Sequence, residues 1–152
     1  MNNNIIIING PNVNMIGIRE TNIYGNININ KYLKFLKFKY KEIININIYN
    51  NNSESKIINY IYDNYYNQYT IGYILNLGAY THTSLAISDC IRAIKNKIII
   101  EVHVSNVFNR ENIRHKSLIS SYSNGIIVGF GLTGYELAII SIINQIKNKI
   151  NK

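Results

Sequence analysis

The stretch Asn4-Ile5-Ile6-Ile7-Ile8-Asn9, followed at once by Gly10-Pro11, sets the reading of the whole chain. An apolar run of strand length that stops at a Gly-Pro turn signal reads as a β-strand. Segments of the same kind return at Ile43–Tyr49, where Ile alternates with Asn, and at Ile71–Asn76, Ile98–Val104 and Gly125–Val128. Between them, Asn28–Tyr40, Ser53–Asn67, Thr83–Lys95 and Gly134–Asn148 carry apolar residues at helical spacing. Ser53 is the expected N-cap of the second helix, and Thr81 or Thr83 that of the third. Regular strand–helix alternation predicts an α/β fold with a mostly parallel sheet. Right-handed crossovers then place helices on both faces, and the carboxyl ends of the strands form the ligand-binding edge. No linker or internal repeat interrupts the pattern, so one domain over residues 1–152 is expected.

Composition narrows the classes. The chain has 152 residues, 47% of them hydrophobic, which is too apolar for a disordered chain. A chain of this length buries about 70% of the surface its unfolded form exposes. Its 34 Ile and 27 Asn, with 13 Tyr, one Pro and no Trp, are the bias of an AT-rich genome. Single Ile, Asn and Lys residues therefore carry little weight, and Gly, His, Arg and Pro carry more. The net charge is +8, from 16 Lys+Arg against 8 Asp+Glu. The lysines are dispersed, and those from Lys31 to Lys41 recur along one helix as a solvated face. No arginine-rich tract or RNP-like aromatic motif supports nucleic-acid binding. No signal peptide is evident, and no aliphatic run is long enough to span a membrane. The single Cys90 excludes an intramolecular disulfide and suits a reducing, cytoplasmic setting. Placed mid-helix, it reads as a buried small hydrophobe.

Two segments are too long to be plain connectors. Gly10–Gly25 follows the first strand, whereas βα loops usually span 2–6 residues. Ser105–Ser123 follows the fourth strand and carries a short helical turn near Glu111–His115. Gly129-Phe-Gly131-Leu-Thr-Gly134 matches G-x-G-x-x-G, but neither a further strand nor an acid roughly 20 residues on follows it, so the glycines are assigned to a tight turn and close packing. Glu101 and His103, two apart on a strand, face the same way. With His82 they could hold zinc, or the carboxylate could orient His103 for acid–base work. There is no nucleophile elbow and no Walker loop. What remains converges on the carboxyl edge: Asn12, Arg19 and Tyr24 after the first strand; Asn76 and His82 after the third; Glu101, His103, Ser105 and Arg114 with the fourth. That set suits an anionic, hydroxyl-rich small molecule.

These residues sit in stretches that resemble the type II 3-dehydroquinate dehydratase family. The matching stretches are Ile8-Asn-Gly-Pro-Asn-Val-Asn14, Gly17-Ile-Arg-Glu20 with Tyr24-Gly25, and Asn76-Leu-Gly-Ala-Tyr-Thr-His82. Glu101-Val-His-Val-Ser-Asn106, Arg114-His115 with Ser117, and Gly129-Phe-Gly131 with Gly134-Tyr135 complete the set. The resemblance implies a flavodoxin-like three-layer sandwich whose five parallel strands run in the order 2-1-3-4-5. It implies dehydration of 3-dehydroquinate to 3-dehydroshikimate, with no cofactor, no metal and no imine to lysine. By the same resemblance Tyr24 is the base at carbon 2 and His103 the acid at the departing hydroxyl of carbon 1. Asn12 holds a water at the enolate, Arg19 keeps Tyr24 anionic, and Glu101 orients His103. Asn76, His82, Asp89, Arg114 and the Val104–Ser105 backbone bind the substrate, and a homo-oligomer, a dodecamer of four trimers, places Asp89 at a neighbour's site.

Elementary electrostatics agrees with these roles. Free tyrosine loses its proton near pH 10. One cation at ~4 Å, with an effective dielectric of ~20, contributes about 4 kcal/mol. That brings a tyrosine hydroxyl into working range. A water fixed by Asn12 would meet the enolate charge where it develops, and a carboxylate at Glu101 favours a protonated His103. The chain departs from the family pattern at Leu77, where Pro is usual and a slightly looser loop is expected, and at Phe108-Asn109. The composition drift itself implies reduced stability. A flavin-binding or phospho-acceptor module of the same architecture fits less well. Its first loop would need Ser/Thr or acids, where this chain has Asn, Arg and Tyr.

Overall fold

A computed structural model describes residues 3–18, 27–94 and 96–150. Five strands, β1 (Asn4–Asn9), β2 (Asn45–Asn50), β3 (Thr70–Asn76), β4 (Ile98–His103) and β5 (Gly125–Val128), form one sheet. All neighbouring strands pair in parallel, in the order β2-β1-β3-β4-β5. The expected flavodoxin-like order is the observed one. Among the described residues, four helices longer than a single turn cover the sheet: α1 (Ile29–Lys39), α2 (Glu54–Tyr65), α3 (Leu85–Ala93) and α4 (Thr133–Ile150).

The run Ile5–Ile8 shows why β1 is central: every side chain in it is fully buried, and successive side chains leave on opposite faces. Ile5 and Ile7 pack with Leu33 and Leu36 of α1 and with Ala138, Ile139 and Ile142 of α4. Ile6 and Ile8 pack with Ile57 and Ile61 of α2 and Ile87, Cys90 and Ile91 of α3. Each such isoleucine contributes roughly 1.5–3 kcal/mol by leaving water. Cys90 is the expected buried small residue, and burial pushes its thiol up to about 11.

Helix starts follow local chemistry, with one correction. Asn28 caps α1 by accepting from the Lys31 amide at 3.2 Å. Ser53 stands at the N-cap of α2, but its hydroxyl makes no capping bond. Neither Thr81 nor Thr83 caps α3. Tyr80–Thr83 form a separate helical turn, and the chain extends at Ser84 before the helix restarts. The Ser84 hydroxyl therefore takes the cap, accepting from the Ile87 amide at 2.9 Å. Strand β2 begins at Asn45, since Ile43 and Ile44 belong to the turn that closes α1. Among the described residues, no helix is long and apolar enough to cross a membrane.

Candidate active site

After β1 the chain runs through α1 to β2 on one side, and the next strand, β3, is laid on the other side. That reversal puts a crevice at the carboxyl ends of β1 and β3, where open α/β sheets take ligands. Asn12 and Asn76 flank it, and β4 delivers His103 beside them. The two loops can approach because residue 10 is glycine: a Cβ there would lie 2.2 Å from the Leu77 carbonyl oxygen. Leu77 itself is fully buried among the α2 and α3 side chains, so burial anchors the loop that lacks proline. Asn12 is the one non-glycine among the described residues in the left-handed region, at φ 64°. Asparagine tolerates that region better than most residues. Its side-chain amide makes no hydrogen bond to another described residue, and it faces the cleft.

His103 and Glu101 lie on the same face of β4, both almost fully buried. The His103 Nε2–H donates to Glu101 Oε1 at 2.6 Å. The other carboxylate oxygen accepts from the Ser120 hydroxyl at 2.6 Å and the Ser117 hydroxyl at 3.1 Å. Burial alone would raise the Glu101 pKa, but the His103 and serine contacts outweigh it and hold the carboxyl below its ordinary value of 4.5. Glu101 is thus an anion behind His103, outside the cleft wall, and with both oxygens engaged it is no free metal ligand. His82 stacks near His103, ring centres 5.7 Å apart. Its Nδ1–H donates to the Lys116 carbonyl at 2.8 Å. Burial, joined by His103 and Arg114, lowers its pKa below 6.5. A neutral ring bonded through Nδ1–H leaves Nε2 as an acceptor.

The long β4–β5 connection closes the cleft through short 3-10 turns at Val107–Asn109 and Asn112–His115, the second where a helical turn was expected. Arg114 lines the cleft while its Nε donates to Glu111 at 2.8 Å. Val104 and Ser105 complete this side. The sequence reading missed Arg110 and Glu111, which also line it. The available signal was scarcity: the chain has four arginines, and Arg110 stands four residues before Arg114 in a long loop.

Asp89 is not part of this cleft. It lies exposed on α3, paired with Arg92 at 3.0 Å. Arg19 and Tyr24 lie outside the described residues. Among the described residues, no group of three or more His, Cys, Asp and Glu is placed to hold a metal ion. The G-x-G-x-x-G stretch forms a turn at Gly129 (φ 85°) and Gly131 (φ 59°), while a Cβ at Gly134 would meet Ile127 and Val102 at 3.4 Å, an ordinary contact, so the packing of α4 does not require glycine there.

Fold and cleft together define a flavodoxin-like α/β protein with an amide- and arginine-lined crevice and a carboxylate-oriented histidine. Residues 3–143 match the family described as Dehydroquinase class II. A 3-dehydroquinate dehydratase of Clostridium perfringens is 42% identical over 146 residues, covering 95% of this chain and 99% of the relative. One from Clostridium botulinum is 45% identical over 147 residues, covering 95% and 97%. The crystal structure of type II dehydroquinase from Butyrivibrio crossotus superimposes with a TM-score of 0.88 at 44% identity, covering 92% of this chain and 97% of that one. This chain belongs to the class II dehydroquinase family.

Proposed function

We propose that this protein is a 3-dehydroquinate dehydratase, converting 3-dehydroquinate to 3-dehydroshikimate and water in the shikimate pathway. The observation that carries the reading is the buried Glu101–His103 pair set at the edge of a crevice lined by Asn12, Asn76, His82 and Arg114. Tyr24, as its phenolate, takes the proton from carbon 2 beside the ketone. The charge that develops on the ketone oxygen is met by a water held by Asn12. The enolate then re-forms the ketone as the carbon 1–oxygen bond breaks, and the leaving hydroxyl takes a proton from His103 and departs as water. Since His103 Nε2–H is committed to Glu101, Nδ1 is the nitrogen that delivers this proton. Arg19 keeps Tyr24 ionised. Arg114 and the Val104–Ser105 backbone hold the carboxylate, and Asn76 and His82 hold hydroxyls.

Neither the proton abstraction nor the carbon–oxygen cleavage changes the net oxidation state, so the chemistry requires no redox cofactor, and the route through the enolate forms no imine with lysine. The exposed Asp89 fits a role at a neighbour's cleft rather than at its own, within a dodecamer of four trimers. The chain acts as one domain, in the cytoplasm, with no nucleic-acid partner.

The test is the ultraviolet absorbance of the conjugated enone formed on adding 3-dehydroquinate. Tyr24→Phe is expected to lose at least about 10²-fold in rate. A variant retaining a third of the wild-type rate would remove Tyr24 from the mechanism, and a wild-type protein producing no enone would remove the reading itself. Asp89→Ala subunits mixed with Tyr24→Phe subunits should regain activity. Mixtures no better than either parent would show that sites are not shared, and sedimentation as a monomer would refute the dodecamer.

A further inference from the structure

Three asparagines end three adjacent strands side by side: Asn50 on β2, Asn9 on β1 and Asn76 on β3, with Asn50 and Asn76 both direct register partners of Asn9. Asn9 is fully buried and Asn76 nearly so. A buried amide without partners is costly. The partner comes from the far end of the chain. Tyr135 of α4, also fully buried, places its hydroxyl between them. It donates to Asn9 Oδ1 at 2.7 Å and accepts from Asn76 Nδ2 at 2.7 Å. Asn9 Nδ2 in turn donates to Asn50 Oδ1 at 2.8 Å.

A tyrosine hydroxyl has one hydrogen. Once it is given to Asn9, the hydroxyl can only accept from Asn76. Asn76 must then turn its NH2 group to Tyr135 and its carbonyl oxygen the other way. Neither that oxygen nor the second Nδ2 hydrogen bonds to another described residue, and Asn76 lines the cleft. An amide free to flip would offer the cleft a donor or an acceptor with similar ease, because its two ends have nearly the same shape. We infer that Tyr135, backed by Asn9, is a positioning residue that fixes the orientation of the Asn76 amide, so that the cleft meets an acceptor oxygen suited to a substrate hydroxyl. Tyr135 itself does not line the cleft; it acts through Asn76. The inference rests on the proposed function for the identity of the substrate, but not for the geometry.

The experiment combines a double-mutant cycle with a readout that needs no turnover. Tyr135→Phe keeps the ring and removes only the hydroxyl. It is expected to lower kcat/KM about tenfold, the worth of one good hydrogen bond, mainly through KM. In an Asn76→Ala background the same substitution should change kcat/KM by less than about twofold, because its only route to the substrate is gone. Equal losses in both backgrounds would overturn the inference, since a merely structural tyrosine gives additive losses. In nitrogen-15 NMR, the Asn76 side-chain amide is identified by its absence from Asn76→Ala. In the wild type it should show a hydrogen protected from solvent exchange, lost in Tyr135→Phe. A wild-type Asn76 amide exchanging as fast as a surface amide overturns the inference, even if Tyr135→Phe fails to fold. A protected amide in a protein that does not dehydrate 3-dehydroquinate refutes the dehydratase reading and leaves the positioning role standing.

Discussion

Replacing Glu101 with glutamine isolates what a buried charge does for His103. The side chain is 1% exposed, and both of its oxygens are occupied. Glutamine has the same shape. Its carbonyl oxygen can keep the His103 Nε2–H, while the Ser120 hydroxyl can rotate to accept from its NH2 group; Ser117 Oγ, which already accepts from the Ile119 and Ser120 amides, gives up its contact to the side chain. The packing is preserved, and what His103 loses is the charge-assisted part of one 2.6 Å contact. Hydrogen bonds to charged groups contribute about 1.5–3 kcal/mol. At 1.36 kcal/mol per decade, kcat should fall roughly 10- to 150-fold. KM should stay within about threefold, because Glu101 lies behind His103 and outside the cleft lining. The assay is the initial rate of enone absorbance across substrate concentrations, with circular dichroism to verify the fold. A Glu101→Gln enzyme with kcat within twofold of wild type would mean that the anion does not support proton delivery by His103. A tenfold rise in KM at constant kcat would mean that Glu101 serves binding instead.

The fold holds the Glu101 pKa below 4.5, so its contribution to stability is complete above the unfolded value and is lost as pH falls through the lower folded one. Melting temperatures of wild type and Glu101→Gln should therefore converge in acid, and a gap that stays constant down to pH 3 would contradict this. His82, lowered below 6.5 chiefly by burial, adds a loss that begins higher: between its two values the unfolded chain binds the extra proton, so stability climbs as pH rises through that window. His82→Gln should flatten that part of the curve, and an unchanged slope would show that the ring is not held neutral. Arg114→Ala should raise KM about tenfold or more with a smaller change in kcat, since a guanidinium–carboxylate contact is among the stronger hydrogen bonds; an unchanged KM would take Arg114 out of the binding set. Gly10→Ala sets a methyl 2.2 Å from the Leu77 carbonyl oxygen and should cost roughly 1–3 kcal/mol or more in chemical denaturation, with Asn76 displaced; a neutral substitution would mean that the two loops part easily.

The sheet was readable because its inner strands are short, unbroken aliphatic runs that end at turn residues, as at Ile5–Ile8 and Ile98–Ile100. Strand β2 was misjudged at its start because Ile44 is apolar for a different reason: it is buried in the turn beneath α1. The third helix was misjudged because three hydroxyl residues within four positions, Thr81, Thr83 and Ser84, can all cap, and only the break in the backbone at Ser84 selects one. At the site, His82, Asn76 and His103 were legible from their places at strand ends. The Ser117 and Ser120 contacts to Glu101 were not, because they depend on how a long polar loop folds back. The Asn9–Tyr135 bond joins residues 126 apart and has no local trace. In a chain with 27 asparagines, only tertiary structure could separate the fully buried Asn9 from the background.

The placement of Cys90 has a use of its own. The lone sulfur is sealed between α3 and the sheet, with its thiolate form suppressed. A thiol reagent in solution can meet it only when that helix lifts away. Its labelling rate then becomes a clock for opening events on one chosen face. Because the chain contains no second cysteine, the clock needs no engineering and reports from a single position.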